Sequence, residues 1–391
     1  MTRRTIIPFA VAVAVAVAFI ASSLPAQSAG PLWTKTYGED GIAHAYSIHP
    51  TSDGGFVMAG KFRDGEGDAW DVYLIRTDSA GDTLWIRTFG GDGDDIARSV
   101  IETADGGFVI TGKTQSPGDG SWDIYLLKTD ADGREIWVNT YGETQMDFAK
   151  SVIQTSDGGY ALAGATMGGN GETYDAYLVK TDADGNQQWA RSYGGEDGDF
   201  ATAVAEIDGG GYIIGAATES FGRGMVDFYL IRTDAGGGIL WARTYGGEDW
   251  DVPWDVRQTA DGGFIAAGET RSFSEHGMDV YLVRTDGAGE TEWARNYGGE
   301  GRQTAQAVWP TPEGDFVVGG YTYIYEEWGQ DIYVARVRAD GEVAWVKTFG
   351  GPGRDIAHSI MQAMDGACVV AGETESFGHK TCEAYLLKID Q

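Results

Sequence analysis

The stretch DVYLIRTDSAGDTLWIRTFGG occupies residues 71–91. Two short runs rich in Val, Ile, Tyr and Thr flank a Gly-containing turn, which is the pattern of a β-hairpin. Close copies stand at residues 123–143 (DIYLLKTDADGREIWVNTYGE) and 227–247 (DFYLIRTDAGGGILWARTYGG). Aligning the tryptophans extends the series. Trp33, Trp85, Trp137, Trp189, Trp241, Trp293 and Trp345 follow one another at steps of 52 residues, without insertion or deletion. A Tyr column (Tyr73 to Tyr385), a Gly column (Gly38 to Gly350) and a basic column (Arg76, Lys128, Lys180, Arg232, Arg284, Arg336, Lys388) keep the same step.

Each unit reads as four short strands, a to d. In the second unit these are ARSVIET, a DGG turn, FVITGKT, a loop, DIYLLKTD, an ADG turn and EIWVNTYG. No segment of residues 30–391 shows sustained helical periodicity. Seven four-stranded units of this period predict an all-β, seven-bladed propeller of antiparallel blades, because a lone unit cannot bury both faces of its sheet. The final unit ends on a strand c, EAYLLKID, and the first begins on a strand d, PLWTKTYG. The N-terminal strand is therefore expected to complete blade 7 and remove the exposed edges.

Residues 1–29 carry Arg3 and Arg4, an apolar run from Ile6 to Ile20 and small residues at PAQSAG. This reads as a secretory signal peptide, leaving residues 30–391 as one propeller domain in a secreted, periplasmic or cell-surface protein. Lys and Arg number 28 against 59 Asp and Glu, a formal charge of −31. Such a surface repels nucleic acid and anionic lipid. No later apolar run is long enough to insert in a membrane, and a monomer is expected. Cys368 and Cys382 could form one disulfide, but the register of the intervening loop leaves this open.

The repeats resemble the secreted SBBP-type β-propeller repeats of bacterial and archaeal surface proteins. The resemblance rests on DGGFVxAGxT, DxYLx[RK]TD and GxxxWx[RK]T[YF]GG and covers Trp33 to the C-terminus. It implies a propeller outside the cytoplasm and no defined chemistry. A thinner likeness, Asp78, Gly81 and Trp85 in TDSAGDTLW, is to the Trp-docking motif of quinoprotein dehydrogenases.

The a–b and c–d turns barely change between copies, whereas the b–c and d–a loops vary and share one face of the disc. Variable loops on a rigid frame are where function sits. One candidate site there is Trp250, Trp254, Arg271, His276, Tyr323, Tyr325 and Trp328 of blades 5 and 6, exposed rings suited to a carbohydrate, peptide or protein ligand. The competing reading is that these rings pack together to stiffen long loops. A second candidate is the column Tyr46, Arg98, Lys150, Thr202, Trp254, Gln306 and His358, early in strand a beside small, uniform neighbours and placed to ring the channel mouth. Its competing reading is ordinary variation at a solvated position.

The DADG turns resemble a fragment of a calcium loop, yet the hairpin already accounts for Asp and Gly there. RDGEGD (63–68) and GDGDD (91–95) are better cation candidates on the variable face. Asp95, Asp147, Asp199, Asp251 and Asp355 are expected to cap strand a or pair with a basic column. The five histidines show no zinc spacing, and no nucleophile elbow or phosphate loop occurs. The expected function is therefore a non-catalytic binding or scaffolding module without a resident cofactor, calcium being the one cation its loops could admit. The alternative is a carbohydrate-active or quinone-dependent enzyme with an axial site.

Overall fold

The computed structural model describes residues 30–38, 41–65, 67, 69–116, 121–142, 145–167, 173–324, 329–378 and 382–390. Among them are seven four-stranded antiparallel sheets and no helix. The proposed signal segment, Tyr325, Trp328 and His379 lie outside the described residues.

Each sheet is one blade. The strands a, which line the axis, are Gly41–Pro50, Asp95–Glu102, Asp147–Gln154, Asp199–Glu206, Asp251–Gln258, Arg302–Pro310 and Asp355–Gln362. Each touches the strands a on either side, and the first touches the last, closing the ring. Blade 7 contains Asp355–Gln362, Cys368–Thr374 and Glu383–Ile389, and its outer strand is Trp33–Tyr37. That strand pairs in register from Trp33↔Lys388 to Tyr37↔Ala384. The expected closure is what the structure shows.

The repeated residues glue blade to blade. Six of the seven strand d tryptophans pack on the aromatic residue that opens strand b of the next blade. Trp33 meets Phe56, Trp85 meets Phe108 and Trp189 meets Tyr212, with ring centroids 5.7–6.3 Å apart. The c–d turn glycine of the next blade lies against the same Trp. Gly133 has φ +72°, and a Cβ there would come within 2.7 Å of the Trp85 ring, so the turn geometry and the close approach both demand glycine. Strand d tyrosines add a latch. The hydroxyl of Tyr37 donates to the Gly81 carbonyl at 2.7 Å, and Tyr193 of blade 3 and Tyr245 of blade 4 repeat the bond to Gly237 and Gly289 of the blades that follow.

The basic column is also structural. The Lys128 and Lys180 stems are buried, and their ammonium groups reach Asp105 and Asp157 of the a–b turns at 3.0 Å. Burial alone would raise these two carboxyls. The Thr103 and Thr155 hydroxyls, the lysines, and the Gly107 and Gly159 amides outweigh it and lower both to about 2. A carboxyl depressed in the folded state stabilises the fold above its unfolded value near 4, and that contribution is lost as pH falls through about 2. Asp105→Asn should therefore flatten the acid limb of a stability–pH curve between about pH 4 and 2. An unchanged limb would show that the turn pairs contribute nothing.

The column of strand-a acids resolves to the capping alternative. Asp199 and Asp251 are buried and accept the amides of Gly195 and Gly247 at 2.9 and 2.7 Å, and the hydroxyls of Ser220 and Ser272 at 2.7 Å. They tie each d–a loop to the neighbouring b–c loop. Asp130 is likewise occupied, accepting the amides of Asp132 and Arg134 in the DADG turn. Cys368 and Cys382 are not bridged. Cys368 pairs with Ile389 at one end of the b–c hairpin, whereas Cys382 precedes the rung Thr374↔Glu383 at the other. At about 3.3 Å per residue they stand on the order of 20 Å apart. Cys368 takes the place of the ring against which Trp345 would otherwise pack.

Candidate functional site: the axial mouth

Every strand a carries one β-bulge, and all seven fall at the same place. Pairing with strand b skips from Ala45 to Ser47, from Ala97 to Ser99 and from Ala149 to Ser151, and equivalently in the other four blades. The skipped residues are Tyr46, Arg98, Lys150, Thr202, Trp254, Gln306 and His358. This is the variable column of the sequence. A bulge leaves one residue outside the ladder and re-aims its side chain, which is why this position varies while its neighbours stay small. Opposite the bulge, strand b needs glycine, since a Cβ on Gly60 or Gly112 would lie within 2 Å of the His44 or Ile96 carbonyl oxygen.

The bulge side chains meet one another. The Tyr46 ring lies edge-on to His358 at 5.0 Å, and the Arg98 guanidinium sits 4.3 Å from the Tyr46 ring centre. The Lys150 ammonium is 4.5 Å from the Trp254 ring and 5.2 Å from Phe200. Lys150 belongs to blade 3, Phe200 to blade 4 and Trp254 to blade 5, so the contact reaches past the neighbouring blade. The Thr202 hydroxyl donates to the Gly215 carbonyl at 3.1 Å and is inward but committed. Gln306 is half-buried.

A second column, missed by sequence reasoning, stands beside this ring at the end of strand b: Lys61, Lys113, Ala165, Ala217, Glu269, Tyr321 and Glu373. It keeps the 52-residue step and follows the Gly60 to Gly372 column, so its signal was present. Lys61 lies 4.0 Å from the Trp70 ring and Lys113 lies 3.7 Å from Trp122. Among the described residues, none of Lys61, Arg98, Lys113 and Lys150 makes an ion pair. Burial, then the charge of Arg98, lowers all three lysines, Lys150 to about 8. Blades 1 to 3 thus present a cationic arc held on aromatic faces. On blades 5 and 7 the column carries acids instead. Glu269 accepts the Thr304 hydroxyl at 2.8 Å, and burial raises its pKa.

Glu373 is almost fully buried and contacts Arg354 and His44, with His358 Nε2 3.5 Å away. Burial and then neighbouring cations, Lys61 first for His44 and Arg98 first for His358, lower both imidazoles to about 3. This favours the neutral imidazole, in which His44 Nδ1–H donates to Glu373.

The loop candidates are dispersed by comparison. Trp250 is 39% exposed, its indole donates to Met225 Sδ at 3.2 Å, and Arg271 lies 5.6 Å from its ring. His276 is exposed on the same blade. Trp254 is turned into the channel. Tyr323 sits within strand b of blade 6, paired with Arg302 and Gln330.

No family model matches the chain. The regulatory protein FlaEY of Caulobacter vibrioides is 31% identical over 165 residues, which cover 38% of this chain and 16% of that protein. The chain therefore spans a small part of that relative's length. Among solved structures, the Pan2 WD40 domain of Neurospora crassa superposes with a TM-score of 0.57 at 11% identity, covering 93% of this chain and 95% of its own. YCF48 bound to D1 peptide gives 0.54 at 12% identity, covering 94% and 98%. Sqt1 from Chaetomium thermophilum gives 0.51 at 13% identity, covering 86% and 83%. At these identities the likeness is one of fold.

Proposed function

We propose that this chain is an exported, non-catalytic propeller of the SBBP type that binds a protein or peptide partner through an acidic segment at the axial mouth. The observation that supports this most is the charge arrangement. In a chain of net charge −31, four cations gather on blades 1 to 3 without a carboxylate partner among the described residues. Each is desolvated or crowded by the others, and an incoming carboxylate relieves that repulsion. The indoles of Trp70 and Trp122 flank the arc and supply apolar surface of the kind found at binding hot spots. The propeller neighbours include one solved with a peptide, YCF48, which accords with peptide capture on this fold.

The test is to present residues 30–391 to an array of acidic, neutral and basic peptides alongside glycans. Acidic peptides should be retained, and retention should weaken as salt rises. Salt-insensitive retention of neutral glycans would instead move the site to the Trp250–Arg271 loop face. Fractionation of the expressing cell for the mature chain tests export.

A further inference from the structure

Three potential metal ligands, His44, Glu373 and Cys382, converge where the first and last blades meet, and His358 stands beside Glu373. His44 lies on strand a of blade 1. Glu373 is the penultimate residue of strand b of blade 7, Cys382 immediately precedes its strand c, and His358 is its bulge residue. The ligand atoms of His44, Glu373 and Cys382 all lie within 4.8 Å of one another. Cys382 Sγ is 3.7 Å from His44 Nδ1, and His358 Nε2 is 3.5 Å from Glu373 Oε2. Bonds of about 2.0–2.1 Å to nitrogen and oxygen and about 2.3 Å to sulfur separate the ligands of a tetrahedral zinc ion by roughly 3.3–3.6 Å. These two spacings lie close to that range, whereas His44 Nδ1 and Glu373 Oε2 are in hydrogen-bond contact, closer than two ligands of one ion, and must part to admit it.

His358 Nε2 is buried and makes no hydrogen bond. A buried polar atom left in that state is costly unless something binds it. Arg354 engages Glu373 through Oε1, leaving Oε2 toward the imidazoles. A hydrogen-bonded cluster alone would account for His44 and Glu373. It leaves His358 Nε2 without a hydrogen bond.

We propose that His44, His358, Glu373 and Cys382 form a zinc-type divalent metal site at the blade 7–blade 1 seam. The donor set selects the metal class. A thiolate and two imidazoles suit a borderline transition ion and disfavour calcium and magnesium. Loss of the Cys382 proton supplies one negative charge, and Glu373, which Arg354 already engages through its other oxygen, supplies part of a second. Four protein ligands close the shell, which marks a structural rather than a catalytic site. The ion would join residues 338 positions apart in sequence. It would reinforce a seam where the Ala43 amide already donates to the Cys382 carbonyl at 2.9 Å.

The test uses residues 30–391 freed of metal with a chelator. Cobalt(II) titration should reach one equivalent and show a thiolate charge-transfer band with the visible bands of a tetrahedral ion. Zinc should raise the melting temperature and protect Cys382 from alkylation, read by peptide mass mapping. Cys382→Ser should remove the band and weaken zinc binding by at least about 100-fold, since even outer-shell partners are worth 10–100-fold. His276→Ala, outside the cluster, should bind as the parent does. Should Cys382→Ser fail to fold, the parent's cobalt spectrum and alkylation protection decide alone. A folded parent that gives no thiolate band and leaves Cys382 open to alkylation in zinc overturns the site. So does a folded Cys382→Ser that binds zinc like the parent.

Discussion

A chain lacking residues 32–37 should not yield a monodisperse, cooperatively melting protein. The deletion removes five rungs of pairing with Glu383–Ile389 and leaves that strand as an open edge. It also removes the Trp33 ring from Phe56 and the Tyr37 latch from Gly81. Loss of one large aromatic from a packed site costs about 3–5 kcal/mol, and whole domains are stable by only about 5–15 kcal/mol. Loss of the whole strand should therefore exceed what the fold can absorb. Size-exclusion chromatography and calorimetry read the outcome, and a deletion that melts like the parent would refute closure through the first strand. Single substitutions grade the effect. Trp33→Ala should cost more than Trp345→Ala, because Trp33 packs on Phe56 whereas Trp345 meets the smaller Cys368.

Lys150→Met should raise stability and weaken acidic-ligand binding together. Lys150 titrates at about 8 because burial, then Arg98, disfavours its charge. A lysine depressed in the folded state destabilises the fold below that value, and the penalty fades as pH rises toward its unfolded value near 10.4. At pH 7 the penalty is on the order of 3 kcal/mol at most, from a depression to about 8. The variant should thus melt several degrees above the parent at pH 7, with the gap closing above about pH 10. In the parent, affinity for an acidic peptide should fall as pH rises through about 8, where the ammonium is lost. Arg98→Gln should cost about 2–5 kcal/mol of binding, as for truncation of one member of a desolvated charge pair. Lys150→Met and Arg98→Gln variants that bind acidic peptides like the parent would remove the mouth from consideration.

Both predictions concern residues that the sequence marks in different ways. Trp33 belongs to a column that never changes, and Lys150 to one that changes every time. Invariance among seven copies reports blade-to-blade packing, because every interface poses the same steric problem. Variation reports a position that the ladder leaves unconstrained, and the bulge is the physical reason. The Lys61–Lys113–Glu373 column carried the same signal beside the Gly60 column, yet nothing local connects it with the bulge ring.

From sequence alone follow the blade count, the strand order, the shared seventh blade and the identity of the variable inner column. These depend on periods of two and of 52 residues and on turn chemistry, all of which act locally or repeat exactly along the chain. Only the tertiary structure decided which variable residues meet. Lys150 reaches past blade 4 to Trp254, Trp254 leaves the loop face for the channel, and His44 and Cys382 come within 3.7 Å from opposite ends of the chain. Ring closure converts sequence distance into proximity, and its geometry depends on the summed rotation of all seven blades rather than on any single unit.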